Sequence, residues 1–322
     1  MFLLPSTNIS IPSIFLNNKK GIRYIMKLSF YDKVDEFWKL QKSPESCKPI
    51  FLITTIWRTG STLTQRLIAS SKEVLMWGEP FANSAIIQNL HQTTKPFLDP
   101  FIKQAWPVFT PTRMHQQTRD EIMNDPGTHW IANLYPDIAE LKASYRVMLD
   151  RLFWEPARKE GYDRFGIKFV RLTVEHVEFL QWIYPDARIV FLTRNPYDCW
   201  NSYNGCNWTY SYPNINISKL VPFITIWEKN TKEFLEHQHP NSAFFRYEDI
   251  ISNADVPEQL RQHTQLNQIN SDILQVRRNG MSQQQELKGI SSRDIQQIEK
   301  LVGETAKKLG YLGHKNTISI QG

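Results

Sequence analysis

Cysteine is scarce in this chain: Cys47, Cys199 and Cys206 are all that its 322 residues contain. So few, and an odd number, exclude a disulfide scaffold; no C-x-x-C occurs, and no spacing with the eight histidines suits a zinc site. The scarcity fits a reducing compartment, where the triplets Asn8-Ile-Ser10, Asn207-Trp-Thr209 and Asn216-Ile-Ser218 are coincidental rather than glycosylation sites. Runs of five or more Lys/Arg are missing too, which removes the basic arm of many nucleic-acid binders. No uncharged apolar window reaches the roughly 18 residues a membrane span needs. Met1 to Asn17 lacks the basic start, unbroken apolar stretch and small-residue cleavage site of a signal peptide. Internal repeats and convincing linkers are absent. The expectation is a cytoplasmic protein with no membrane span and no nucleic-acid partner.

What is present is core material. Apolar residues make up 41% of the chain and aromatics 12%, enough to bury a full core without disulfides or a structural metal. The net charge of +6 suits polyanionic small molecules, acidic surfaces or nucleic acid and is too mild to choose among them, and a slightly basic solvated surface explains it equally well.

Pro49 to Ile56 is a short, β-branched, nearly continuous apolar run, as a strand buried on both faces reads. Arg188–Thr193 has the same character, and Ser242–Tyr247, Phe165–Val170 and Glu73–Trp77 are further strand candidates. Helical patterns lie between them: Leu63, Leu67 and Ile68; Ile138 to Leu152 after Pro136; Val174 to Leu180; Ile224 to Leu235; and Ile295 to Leu309, stopped by Gly310. Strands alternating with helices imply parallel pairing, so the expected class is α/β, a single domain with a central, mostly parallel sheet flanked by helices. Residues 1–26 are expected to be an extension and 27–322 the domain. A Pro-rich segment at about 83–135 reads as a helical and looped insertion, and Cys206 to Pro222 as a long loop.

The strongest chemical signal is Ile56-Trp-Arg-Thr-Gly-Ser-Thr-Leu63, placed between a strand and a helix. A Gly-containing turn at a helix N-terminus aims backbone N–H groups and partial positive charge at one point, which favours an anion. Arg58 adds a fork suited to phosphate or sulfate oxygens, and Ser61 and Thr62 offer hydroxyls that either cap the helix or bond the anion. The same string also fits a capped turn with no ligand. It is not a Walker A loop: Thr55 stands where the first Gly belongs, and the Lys after the second Gly is missing. The second signal is Arg194-Asn-Pro-Tyr-Asp-Cys-Trp-Asn-Ser202, at the carboxyl end of a strand, where open α/β sheets bind ligands. Taken alone, it reads equally as a helix cap supported by Asp198.

Together these strings resemble the sulfotransferase superfamily, which uses 3′-phosphoadenosine-5′-phosphosulfate (PAPS). Arg58-Thr-Gly-Ser-Thr62 is similar to its 5′-phosphosulfate loop, and Arg194 with Ser202 has the spacing of its 3′-phosphate site. Pro185 to Pro196 resembles the family's approach to that Arg, and Arg246-Tyr-Glu-Asp249 its Tyr-Glu-Asp element. Arg277-Arg278-Asn-Gly280 is similar to its late basic-Gly loop, and Leu309-Gly-Tyr311 to a common ending. The resemblance implies cofactor contacts from Arg58, Thr59, Gly60, Ser61, Thr62, Leu63, Arg194, Ser202, Tyr247, Arg277, Arg278 and Gly280. It also implies the fold of the P-loop nucleotide kinases.

Two departures separate the chain from the cytosolic aryl and steroid branch. Leu63 stands where that branch has an adenine-stacking Trp, and Val170 where it has a His base two residues after the strand Lys, here Lys168. The Glu-using branches match better, with Gly78-Glu79 following the loop as their Gly-Glu element does. The resemblance therefore implies Glu79 as general base, with Lys168 and Arg58 stabilising charge, no metal, and a small-molecule or carbohydrate acceptor. Glu79 read plainly is an acid at the start of a helix after Pro80, and Lys168 a structural lysine. His91, His115 and His129 are alternative bases or structural histidines, and Trp106, Trp130, Trp208 and Tyr210 either line an acceptor pocket or form local core. A small-molecule kinase and a non-catalytic nucleotide-binding relative are the competing readings.

Overall fold

The computed structural model describes residues 14–16, 24–26, 29–38, 40, 47–81, 84–98, 124, 138–206, 210–211, 216–275 and 290–311. The strands are β1 (Ile14–Leu16), β2 (Tyr24–Met26), β3 (Ile50–Thr54), β4 (Val74–Trp77), β5 (Arg164–Phe169), β6 (Arg188–Thr193), β7 (Tyr210–Ser211), β8 (Asn216–Ile217) and β9 (Ser242–Arg246). Five of them form one all-parallel sheet in the order β4-β5-β3-β6-β9. The fold is α/β, with helices on both faces.

All five residues of β3 are buried, and their alternation divides the core. Phe51 and Ile53 pack with Phe165, Ile167, Ile189 and Phe191 on one face, whereas Ile50 and Leu52 pack with Val74, Val190 and Leu192 on the other. Period-two burial on both sides is why these strands read as continuous apolar runs.

The helices are α1 (Phe30–Trp38), α2 (Ser61–Ala69), α3 (Ile86–Thr94), α4 (Ile138–Leu149), α5 (Glu155–Lys159), α6 (Val174–Ile183), α7 (Pro196–Asn204), α8 (Leu220–Glu236), α9 (Tyr247–Ser252), α10 (Asp255–Thr264) and α11 (Ser292–Lys308). A π turn at Asp150–Trp154 joins α4 to α5. Pro156, second in α5, has no N–H for the helical ladder, and the wider turn absorbs that break. Helix α6 starts with a capping box in which Thr173 and His176 satisfy each other's backbone N–H groups.

Two local expectations need correction. The cap of α2 is Gly60 with no side-chain hydrogen bond, so Ser61 and Thr62 lie inside the helix. The cap read in the second string is present: Asn195 caps α7, its side chain accepting from the Tyr197 N–H at 3.0 Å, and Asp198 lies in the first turn, 3.8 Å from Arg194. Cys206 to Pro222 is not one loop: β7 and β8 pair antiparallel within it, and α8 already begins at Leu220.

Within residues 1–26, β1 and β2 pair antiparallel. Of the segment at 83–135, α3 and a 3₁₀ turn at Lys95–Leu98 are described. Trp106, His115, His129, Trp130 and Trp208 lie outside the described residues. No helix among the described residues is long and apolar enough to cross a membrane.

Candidate active site

The chain turns sharply where β3 ends. Arg58 takes φ 68° and Gly60 φ 83°, the left-handed region that only glycine enters without cost. A Cβ on Gly60 would stand 2.1 Å from the Tyr247 ring, so this residue is required both for the turn and for the approach of α9. Leu63 N–H donates to Gly60 O at 3.0 Å, and with no side chain capping α2 the N–H groups of Ser61 and Thr62 keep their hydrogen-bonding capacity for a ligand.

Side chains remote in sequence hold this turn. Thr55 N–H donates to Leu192 O at 3.1 Å. Asn230 Nδ2 donates to Thr55 O at 2.8 Å. Arg194, following β6, donates from Nη1 to Arg58 O at 3.2 Å, which supports the left-handed residue. Arg58 Nε in turn donates to Ser202 Oγ at 2.9 Å. The Arg194 guanidinium lies 4.9 Å over the Tyr247 ring, with Asp198 3.8 Å away. The two strings therefore lie side by side at the carboxyl ends of adjacent strands.

A second pair stands beside them. Lys168 Nζ is 3.0 Å from Glu79 Oε1, which links the end of β5 to the residue two past β4. Lys168 is in register with Leu52 of β3, and that register places it on the sheet face that α2 covers. The Lys is 11% exposed and the Glu 35%, so the carboxylate is the partner open to a solute. Glu79, Pro80 and Phe81 lie in the bend and turn after β4, ahead of a 3₁₀ residue at Ser84 and of α3.

The match of the sequence to a family model decides what this constellation belongs to: residues 49–262 match the model described as the sulfotransferase family. The chain is a member of the sulfotransferase family. The matched span runs from the start of β3 to α10 and takes in every expected site residue except Arg277, Arg278 and Gly280, which lie outside the described residues.

Solved sulfotransferases show distant likeness. A sulfotransferase from Alicyclobacillus acidocaldarius is 14% identical, with 82% of this chain and 95% of that one covered and a TM-score of 0.43. The sulfotransferase domain of the Synechococcus PCC 7002 olefin synthase is also 14% identical, with 81% and 97% covered and a TM-score of 0.41. A mouse sulfotransferase complexed with PAP is 11% identical, with 93% and 90% covered and a TM-score of 0.36. No curated protein matches the sequence.

In this member of the family, Leu63 is half-buried in the first turn of α2, and Val170 is buried just past β5. His91 is buried away from this constellation's hydrogen bonds, with Nδ1 2.7 Å from Tyr31 Oη and Nε2 3.4 Å from Glu175. It lines a cleft of ≈ 390 Å³ together with Lys95, His176, Lys229 and Glu233.

Two residues that reading by motif missed fix the Arg194 backbone. Trp227 Nε1 donates to Arg194 O at 2.9 Å, and Glu248 Oε1 accepts from Asn195 N–H at 2.8 Å. Glu248 sits inside the Arg246–Asp249 string, so its position was visible but its task was not. Trp227 carried no signal beyond its place on an apolar helix face.

Proposed function

We propose that this protein transfers a sulfuryl group from PAPS to a hydroxyl or amine of an acceptor, a small molecule or a carbohydrate. One observation carries the reading: Arg58 of the turn bonds Ser202, while Arg194 bonds Arg58 O, so both anion-binding strings form one cluster. The fit to a nucleotide with two anionic ends rests on three features. Helix α2 begins without a side-chain cap. Arg194 Nε and Thr59 Oγ1 are buried without hydrogen-bond partners. Gly60 takes φ 83°, the left-handed turn that lets consecutive backbone N–H groups converge on one point.

The nucleotide, when bound, supplies a sulfuryl group on its 5′-phosphate. The turn residues Arg58, Thr59, Gly60, Ser61, Thr62 and Leu63 would hold that end, with N–H groups and the Arg58 fork facing phosphate and sulfate oxygens. Arg194, Ser202 and Tyr247 would hold the 3′-phosphate end, together with Arg277, Arg278 and Gly280. Lys168 supplies fixed positive charge where negative charge develops, the larger part of catalysis in displacements of this kind. Glu79 takes the proton from the acceptor, and its greater exposure puts it on the side a solute can reach. This role allies the chain with the Glu-base branches of the family. Arg and Lys supply the positive charge, so the reading calls for no metal.

The test is thermal stabilisation by adenosine 3′,5′-bisphosphate (PAP), followed by transfer of labelled sulfate to panels of phenols, alcohols, amines and sugars. Stabilisation with transfer supports the reading. Stabilisation without transfer to any acceptor marks a non-catalytic binder, and Mg²⁺-dependent ATP turnover without PAP binding marks a kinase.

A further inference from the structure

The peptide unit between Arg194 and Asn195 is held at both poles. Its carbonyl accepts from Trp227 Nε1 at 2.9 Å, and its N–H donates to Glu248 Oε1 at 2.8 Å. The other Glu248 oxygen accepts from Tyr311 Oη at 2.7 Å. Burial, then the neighbouring Glu248 charge, pushes the Tyr311 phenol up, so it stays a donor. Tyr311 lies beyond the family match, which ends at 262. It is anchored by Arg246, which donates to Leu309 O and whose guanidinium lies 5.7 Å from the Tyr311 ring.

We infer that Glu248 is a positioning residue through which Tyr311, on the C-terminal segment, aims Arg194 at the 3′-phosphate of the nucleotide. The inference rests on the proposed function, because it needs Arg194 to bind that phosphate. The physical argument concerns direction. Arg194 is a long side chain whose guanidinium must meet a phosphate, and the course of that side chain is set by the backbone that carries it. Asn195 precedes Pro196 and has φ −43° and ψ 121°, an extended conformation that leaves its N–H outside any helical ladder. The Glu248 carboxylate meets that buried N–H with a charge-assisted bond, the stronger kind. The preceding residue, Tyr247, packs against Gly60 and under the Arg194 guanidinium. The first turn of α9 thus locates both the backbone and the head of Arg194.

Binding of PAP and of adenosine 5′-monophosphate, which lacks the 3′-phosphate, tests this by calorimetry on the full chain. The wild type should prefer PAP. Glu248→Ala should reduce that preference by about 10-fold or more, the worth of a hydrogen bond to a charged group, while affinity for the monophosphate stays within about twofold. Glu248→Gln should keep most of the preference, because its amide oxygen still accepts from Asn195 and its NH₂ can donate to Tyr311 Oη. Tyr311→Phe, which removes one hydroxyl and leaves the ring, should give a smaller loss of the same kind. It decides the matter if Glu248→Ala does not fold. A wild type that prefers PAP, with variants that keep the preference or lose both ligands equally, overturns this inference alone. A wild type with no preference overturns the functional reading, and this inference with it.

Discussion

Lys168 and Glu79 face each other across 3.0 Å, although one ends β5 and the other follows β4. The pair exists because β4 and β5 are parallel neighbours, with Trp77 opposite Ile167, so their carboxyl ends open at the same level. A carboxylate and a cation that converge there suit the proposed roles, one toward the acceptor proton and the other toward the developing negative charge.

Removal of Glu79, the proposed base, should therefore separate binding from chemistry. Glu79→Gln is expected to lower turnover by about 10²–10⁴-fold, the usual contribution of a positioned base, and to leave PAP-induced thermal stabilisation unchanged. Steady-state rates and a melting curve check this. Near-normal turnover would remove Glu79 from the mechanism.

Gly60 tolerates no side chain. In Gly60→Ala the residue must hold φ 83° at a strain of about 1–3 kcal/mol, and its Cβ meets the Tyr247 ring at 2.1 Å. The melting temperature should fall and the response to PAP should disappear. Adding Tyr247→Ala relieves the collision but not the strain, so only part of the stability should return. A single variant that melts and binds as the parent does would refute the account of the turn.

In its proposed role Arg58 acts through its fork. In Arg58→Lys the charge remains, but one ammonium cannot replace an Nε bonded to Ser202 at 2.9 Å and also present two parallel donors outward. PAP affinity should fall about 10-fold or more with little change in melting temperature. Ser202→Ala should weaken binding less, and the double variant should fall short of the two losses added. Strict additivity by calorimetry would show that the Arg58–Ser202 bond does not orient the guanidinium.

His176 predicts an acid limit to stability. Burial, with His91 beside it, pushes this imidazole down from the usual 6.5 to about 4. Its Nδ1 accepts the Thr173 N–H at 3.0 Å, which a protonated nitrogen cannot do. The folded state holds the ring neutral, whereas the unfolded chain protonates it near the ordinary value. Its stabilisation is therefore complete above about pH 6.5 and is lost as pH falls toward 4. The thermal midpoint should decline across that window, and less steeply in His176→Asn, whose side-chain oxygen can still accept. Equal slopes would show that this ring does not contribute to the decline.

The sheet strands were legible because each is a compact apolar run, and Arg188–Thr193 matches its sequence reading residue for residue. Elsewhere the boundaries moved by one or two residues, since the last residues of a run such as Thr55 and Ile56 belong equally well to a strand or to the turn that follows. The reading of Cys206 to Pro222 as one loop failed because Leu220 already serves the apolar face of α8, where Pro222 is tolerated as the third helical residue.

Sequence alone settled what local rules decide: strand period, the stop at Gly310, the start of α7 at Pro196, and a glycine turn between strand and helix beside an arginine. These depend on backbone sterics and on spacings of a few residues. The tertiary structure decided which distant groups meet. Arg58 and Ser202 are 144 residues apart, yet they bond because β3 and β6 are neighbours in a sheet ordered β4-β5-β3-β6-β9. Gly60 is required by the ring of Tyr247, and Arg194 is steadied by Glu248, through contacts that no local pattern encodes. Burial of both sheet faces selects that strand order, and burial is a property of the whole chain.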